Sequence, residues 1–196
     1  MRPTLRRTIK RLQSFRRAQD GVAALEFALI ALPFFALLFA ILEVALLFMV
    51  STTLENSMGT SARTIRTGEL QTGNAARPQP KTNAELAGEF KSEICGNLGW
   101  LQAQCGNALF VDVRTYTQFS QTGSATDPVR VSGGRSQFDP TQTTFVPGGP
   151  RDIVLVRAFY RWPVVSPLLT PAMVEMGDNE HVVTAVSVFR NEPYED

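Results

Sequence analysis

The sequence predicts an α+β protein, in which a long N-terminal helix packs on a small antiparallel sheet of three to four strands with one short helix beside it. One observation is a run of 29 residues, from Val22 to Val50, whose only charged members are Glu26 and Glu43. The other is a set of three later segments in which apolar and polar residues alternate. A long apolar run predicts a helix, and a period of two predicts half-buried strands.

The apolar run is long enough to cross a membrane. As a helix it would extend about 43 Å at roughly 1.5 Å per residue, more than the ~30 Å hydrocarbon core. Pro33 would break the interior of a soluble helix, but a membrane helix tolerates proline as a kink. We therefore expect residues 22–50 to form a transmembrane helix and the chain to cross the membrane once.

The charge distribution predicts the orientation of this helix. Residues 1–20 contain one acidic side chain and several basic ones, whereas the rest of the chain is acidic on balance. The positive-inside rule places this arm in the cytoplasm and the C-terminal part in the periplasm of a bacterium. Attraction of the arm to inner-membrane lipids is a simpler role for it than binding of nucleic acid, so no nucleic-acid partner is expected. The basic residues are Arg2, Arg6, Arg7, Lys10, Arg11, Arg16 and Arg17.

Beyond the membrane the helix is predicted to continue. Leu54, Met58 and Ile65 recur at helical spacing, so residues 51–67 are expected to form an amphipathic continuation that packs on the outer domain. Residues 68–83 are polar and contain two prolines, which predicts a linker. Residues 84–196 are expected to form the periplasmic α+β domain.

A short helix is predicted to open that domain. Thr82 and Glu85 have the spacing of a capping box, and Leu86, Phe90 and Ile94 share one face of the helix that follows. The helix is expected to end near residue 95.

The two cysteines, Cys95 and Cys105, could be two free thiols or one disulfide, and their spacing alone does not decide. A periplasmic location favours the disulfide. The residues between them are predicted to form a loop, with Trp100 and Leu101 packed inward.

Three segments have strand character: residues 108–117, 152–162 and 181–190. Asp112 and Arg114 fall on the face opposite to the apolar residues of the first strand, and Arg157 and Arg161 do so in the second. Residues 118–151 are rich in Gly, Ser, Thr and Pro and too long for a hairpin turn, so a mobile loop is expected there.

No motif predicts catalysis or a cofactor. The chain has a single histidine, His181, at the start of a predicted strand, and it contains no CxxC pair, no G-x-S-x-G elbow and no phosphate-binding loop. We therefore expect no enzyme activity, no metal and no cofactor.

The carboxylate of Glu26 raises a separate question, since an acid is costly inside a membrane. A secretory signal peptide does not fit, because the apolar run is too long and no A-x-A site follows it. In a simple signal anchor, Glu26 and Glu43 would lie near the two membrane surfaces. A cut after Gly21 would instead place a new α-amino group on Val22, one helical turn before Glu26, and the two charges would compensate each other.

This pattern resembles the processing site of type IV prepilins, and within that group the TadE-like family of tight-adherence (Flp) pilus assembly proteins. The similarity includes a basic leader, a glycine followed by small residues, a Glu with an aromatic after it, a Leu-Pro pair and a second Glu late in the apolar run. Val44 and Ala45 depart from it, since an aromatic and a glycine usually stand there. The final "VSVFRNEPYED" is also similar to the family's Asn-Glu-Pro tail. The matching residues are Gly21, Glu26, Phe27, Leu32, Pro33 and Glu43.

The resemblance implies a minor pilin-like subunit (a pseudopilin) with a fold that is pilin-like in outline. Residues 1–21 would be a leader, with Arg11, Arg16 and Arg17 available for recognition by a prepilin peptidase. Gly21, Val22, Glu26 and Phe27 would form the processing site. Partners would be the peptidase, other pilin-like subunits, assembly platform proteins and inner-membrane lipids. The alternative is an uncleaved, signal-anchored periplasmic domain with a binding or enzymatic role.

Overall fold

The computed structural model describes residues 20–73, 81–132, 135–165 and 179–194. The chain divides into two compact units, Met1–Leu42 and Glu43–Asp196. The α+β class predicted from the sequence is confirmed. The helices are α1 (Asp20–Arg66), α2 (Glu69–Thr72), α3 (Asn83–Asn97) and α4 (Gln102–Ala108), and the strands are β1 (Leu109–Tyr116), β2 (Val129–Ser132), β3 (Arg135–Phe138), β4 (Ile153–Pro163) and β5 (Glu180–Arg190).

Helix α1 is the long N-terminal helix that the sequence predicts. Among the described residues it is the one helix long and apolar enough to cross a membrane. Pro33 lies inside it without ending it. Proline lacks the N–H that would bond to the carbonyl one turn earlier, and in a membrane helix this loss is tolerated.

The main sheet has three antiparallel strands in the order β1–β4–β5. Leu109 of β1 is paired with Tyr160 of β4, which is paired in turn with Val183 of β5. All three strands were predicted, and the alternation that predicted them places these three residues on one face. That face carries the core of the second unit.

The outer part of α1 packs on this face together with α3 and α4. Leu54 and Ile65 of α1 are fully buried in the same cluster as Phe90 of α3 and Cys105 of α4. The hydroxyl of Ser57 also donates a hydrogen bond of 2.7 Å to the carbonyl of Ile94, which joins α1 to α3. The predicted packing of the outer helix on the sheet domain is therefore confirmed.

Helix α3 begins as predicted at a capping box. Thr82 accepts a bond from the N–H of Glu85, and the Glu85 carboxylate accepts one from the N–H of Thr82 at 2.7 Å. The expectation of a loop between the cysteines was wrong, because residues Gly99–Leu101 form a 3-10 helix and α4 follows directly. Leu101 is buried as expected, but Trp100 is half exposed.

On the second face of the sheet, β1 and β4 are covered by residues of the segment 118–151, which the composition predicts as a loop. Strands β2 and β3 form a hairpin there, and Phe138 of β3 packs against Phe110 of β1 and Phe159 of β4. Farther along, Thr144 and Val146 bond to the backbone of Val113 at 2.8 Å each. The free edge of β1 is thus paired locally with this segment.

Candidate functional site

The predicted processing site lies in the first turn of α1. Helix α1 extends over Asp20–Arg66, so the bond between Gly21 and Val22 lies near the first described residue of the helix. Gly21 is exposed, and a Cβ atom placed on it would meet no atom within 4 Å. The fold therefore does not require glycine at this position, which leaves recognition by another protein as a reason for it.

Glu26 follows Val22 by four residues and lies on the same face of α1. The rise between them is about 6 Å, and helical side chains lean toward the N-terminus. A side chain at position 26 can therefore reach toward the backbone nitrogen of Val22. Both side chains are exposed, as is Phe27. This arrangement suits a carboxylate that would meet a positive charge at residue 22.

The leader residues Arg11, Arg16 and Arg17 lie outside the described residues. Their predicted recognition by a peptidase stays a prediction.

Glu43, the second acid of the apolar run, is buried within the unit Glu43–Asp196. Its Oε1 atom accepts a hydrogen bond of 2.6 Å from the backbone N–H of Val165, two residues beyond the end of β4. The carboxylate thus ties the start of the outer part of α1 to the end of the central strand. Because 122 residues separate the two groups, no local sequence pattern could predict this contact.

The C-terminal tail, residues 191–194, contacts the other end of the outer part of α1. The backbone N–H of Glu192 donates to the carbonyl of Arg66 at 2.8 Å, and the side chains of these residues approach to 3.3 Å. Asn191 is buried and donates to the carbonyls of Pro147 and Gly149 at 3.1 and 3.0 Å. The carbonyls at a helix end need partners from outside the helix, and the tail supplies one of them.

Gly68, two residues after the end of α1, allows the chain to turn back beneath this tail. Its φ angle of 81° lies in the left-handed region that favours glycine. A Cβ atom on Gly68 would also come within 2.3 Å of the Tyr194 ring. The tail, the turn and the last residue of α1 therefore form one packed cluster.

A disulfide joins Cys95 at the end of α3 to Cys105 in α4, as predicted. The bond closes the short helical segment that carries Trp100. On the chain-entropy model, closing a loop of this size contributes about 3 kcal/mol of stability.

The second face of the sheet holds a buried charge cluster. Asp112 accepts bonds from Arg157 at 2.7 and 3.0 Å, from Arg114 at 3.1 Å and from the N–H of Thr144 at 2.8 Å. Arg157 also donates to the carbonyl of Thr126 at 2.6 Å. The sequence placed Asp112 and both arginines on this face but did not predict their burial. The cluster fastens the segment 118–151 to the sheet.

A groove of about 360 Å³ lies beside this cluster. The polar groups at its lining are Asp127, Arg157 and Thr184, and the rest of the lining is apolar. Arg157 is already hydrogen-bonded to Asp112 and to the carbonyl of Thr126. Within the described ranges, no group of three or more His, Cys, Asp or Glu side chains could hold a metal ion.

Comparison with known proteins adds one finding. The model of a family described as TadE-like protein matches residues 21–63. This confirms the resemblance stated from the residues of the apolar run, and it associates the chain with pilus proteins of the tight-adherence type. Neither a curated protein nor a solved structure matches the chain.

Proposed function

We propose that this protein is a minor pilin-like component that assists assembly or initiation of a tight-adherence pilus, and that a prepilin peptidase cuts it after Gly21. The observation that carries the proposal is the extent of the family match, which starts at Gly21 itself and continues to residue 63. The matched segment thus begins where the basic leader ends. The exposed first turn of α1 supports access of a peptidase to this bond.

The cut is a hydrolysis. Water adds to the carbonyl carbon of Gly21, the bond to the nitrogen of Val22 breaks, and Gly21 keeps a carboxylate while Val22 gains an amine. A peptidase needs the bond in an extended form. Glycine in a helix costs about 1 kcal/mol relative to alanine, so the first turn opens more readily at Gly21 than at another residue.

The new amine is protonated and lies at the positive end of the helix macrodipole. In the apolar surroundings of a membrane or of a bundle of helices, an isolated charge of this kind is costly. Glu26, one turn away on the same face, can compensate it within the chain or in a neighbouring subunit. Glu26 thereby gains a role that a simple membrane anchor does not give it.

In this proposal residues 22–42 and the start of the following segment anchor the chain in the inner membrane, with the leader in the cytoplasm and the α+β domain in the periplasm. The basic leader supports this orientation by the positive-inside rule, and the disulfide supports an oxidising compartment. Other pilin-like subunits and platform proteins are the partners that the family implies.

The experiment is mass spectrometry of the protein purified from membranes of its native host. The expected N-terminus is Val22, and deletion of the peptidase gene should restore Met1. In a Gly21→Leu variant the cut should be lost. Gly59→Leu is a matched control, because Gly59 is also an exposed α1 glycine with open space at its Cβ. An intact leader in the wild-type protein, with an active peptidase present, would contradict the proposal.

Glu26→Ala separates processing from assembly. The variant should be cut normally, because the scissile bond is unchanged, but pili on the cell surface should fall several-fold because the Val22 amine has lost its counter-ion. Glu55→Ala is the control, since Glu55 is an exposed acid in the outer part of α1. Normal piliation in Glu26→Ala cells would disprove the pairing.

A further inference from the structure

The unit Glu43–Asp196 has two distinct ends along the outer part of α1. At one end Glu43 contacts Val165, just beyond the end of β4. At the other end Arg66 contacts Glu192, which follows β5 where that strand is paired with the beginning of β4. Strand β4 therefore runs antiparallel to this part of α1. We call these two regions the Glu43 end and the Arg66 end.

Large apolar side chains are exposed at the Glu43 end. Val165 is 82% exposed although it is held in place by Glu43, and on α1 itself Phe48 is 71% exposed and Val44 49%. These residues come from two elements that are far apart in sequence. Exposed apolar side chains that the fold brings to one end of a domain need an explanation, because large apolar patches on soluble proteins often mark interaction sites.

Both tryptophans of the chain belong to this end. Trp162 lies three residues before Val165 in β4, which corresponds to about 10 Å along a strand. Trp100 packs edge to face against it, with ring centroids 6.0 Å apart and planes at 76°. Trp162 is partly buried against the core, whereas Trp100 is 50% exposed. The pair therefore offers one anchored and one accessible indole.

The Arg66 end has a different surface. Several charged side chains are exposed there and contact water, beside the apolar side chains of Phe119 and Val146. The charged residues are Arg63, Arg66, Glu69, Arg151, Arg190 and Glu192.

We propose that the Glu43 end of the domain sits in the headgroup layer of the membrane, with Trp100 and Trp162 as its interfacial anchors. The inference rests on the membrane anchoring in the proposed function and adds a lipid-binding surface to the outer domain. Tryptophan is enriched at this layer because its ring is apolar and its N–H is polar.

Chain connectivity identifies lipid as the occupant. Residue 42 directly precedes this domain in α1, and the 21 residues from Val22 to Leu42 extend about 31 Å as a helix, close to the ~30 Å of hydrocarbon. Glu43 then falls at the membrane surface, and Val44, Phe48 and Val165 lie at the level where headgroups meet acyl chains. A second protein chain on this surface would have to displace lipid that the preceding residues already require.

The two tryptophans make the test direct, because intrinsic fluorescence reports only on them. The full chain is reconstituted in phosphatidylcholine–phosphatidylglycerol vesicles, and insertion is checked by flotation. Quenching is measured with iodide on both sides of the bilayer and with a lipid that carries a nitroxide on its headgroup. A Trp162→Phe variant isolates Trp100. The matched reporter is Phe119→Trp with both native tryptophans changed to Phe, since Phe119 is 51% exposed and follows β1 near the Arg66 end.

We expect the headgroup nitroxide to quench Trp100 and iodide to quench it at least about threefold less than the reporter at position 119. Equal iodide quenching at both positions, in protein that floats with the vesicles, would overturn this inference and leave the proposed function standing. Trp100 could instead be protected from iodide, show no quenching by the nitroxide, and lose the protection when the protein is diluted with lipid. This result would also overturn the inference, because it would mean that a second copy of the chain covers the surface. If the protein does not float with the vesicles, the membrane anchoring of the proposed function is wrong. An uncut leader, in contrast, would contradict only the proposed cut after Gly21.

Discussion

The two parts of α1, residues 21–42 and residues 43–66, belong to one helix but meet different surroundings. In the first part the large apolar side chains are exposed on every side, as Phe27, Phe34 and Phe39 illustrate. In the second part Leu47, Val50, Leu54, Met58 and Ile65 are buried at intervals of three, four and seven residues, and polar side chains lie between them. Within the described residues 20–42 the first pattern is not covered by protein, and the second pattern is a stripe that fits a sheet.

The contrast shows how one helix can be stable in two environments, lipid and the core of a protein domain. A helix that is apolar all round is stable where its whole surface meets lipid, whereas a striped helix is stable where one face meets a protein core. Glu43 lies where the pattern changes and is also the first residue of the second unit. Its buried bond to Val165 belongs to the protein side of this boundary.

Truncating one leucine in each part tests the contrast most strongly. Leu54 is fully buried in the core, so Leu54→Ala should lower the free energy of unfolding of the outer domain by about 4 kcal/mol. Leu37→Ala removes the same atoms from an exposed position and should leave this quantity unchanged. Urea titration of the full chain in lipid nanodiscs, followed by tryptophan fluorescence, measures both. Equal losses would mean that residues 21–42 also depend on protein packing.

The sheet on which the second part packs depends on a buried charge. Asp112→Ala leaves Arg157 and Arg114 without their carboxylate and should cost about 3 kcal/mol of unfolding free energy, because Arg157 is then a buried charge without its counter-ion. Glu180→Ala breaks the Arg161–Glu180 pair, which has a similar N–O distance of 2.6 Å but is partly exposed, and should cost less than about 1 kcal/mol. The same urea titration compares them. If the two losses are similar, Asp112 does not fasten the segment 118–151.

The tail contact at the end of α1 should have a smaller effect. Asn191→Ala removes two hydrogen bonds to Pro147 and Gly149 and should cost about 1–2 kcal/mol. Hydrogen exchange should accelerate in the last turn of α1. Glu192→Ala is the control, because its bond to the Arg66 carbonyl comes from the backbone and survives the substitution. Unchanged exchange in Asn191→Ala would show that the helix end holds without the tail.

The sequence predicts best where the pattern is periodic and local. The span of α1, the capping box at Thr82 and the three strands of the main sheet all follow from spacing within a single segment. The helical form of residues 99–108 was missed because so short a segment shows no full apolar period. Strands β2 and β3 were missed for the same reason, since each has four residues. The exposure of Trp100 was missed because its partner, Trp162, is distant in sequence.

The candidate site divides in the same way. Gly21, Glu26 and Phe27 could be proposed from the sequence because their pattern lies within seven residues and follows a basic arm. The burial of Glu43 and Asp112 could not be predicted, since each depends on a partner more than 30 residues away. Polar residues on a strand predict a face of the sheet but not whether another segment covers it.

The smallest expected effect concerns pH at the start of α3. Hydrogen bonds from the backbone and side chain of Thr82 lower the pKa of Glu85. A carboxyl whose pKa is lower in the folded state stabilises the fold above its unfolded pKa, and this contribution is lost as the pH falls through the folded pKa. Acidification below the ordinary glutamate pKa of about 4.3 should therefore increase hydrogen exchange in the first turn of α3 before the domain unfolds. In Glu85→Gln, whose amide can still complete the capping box, exchange in this turn should lose that pH dependence. If exchange in this turn has the same pH profile in the variant, a group other than Glu85 causes the pH dependence. The last turn of α1 is the internal control: it has no part in the capping box, so its exchange should show no increase of this kind in either protein.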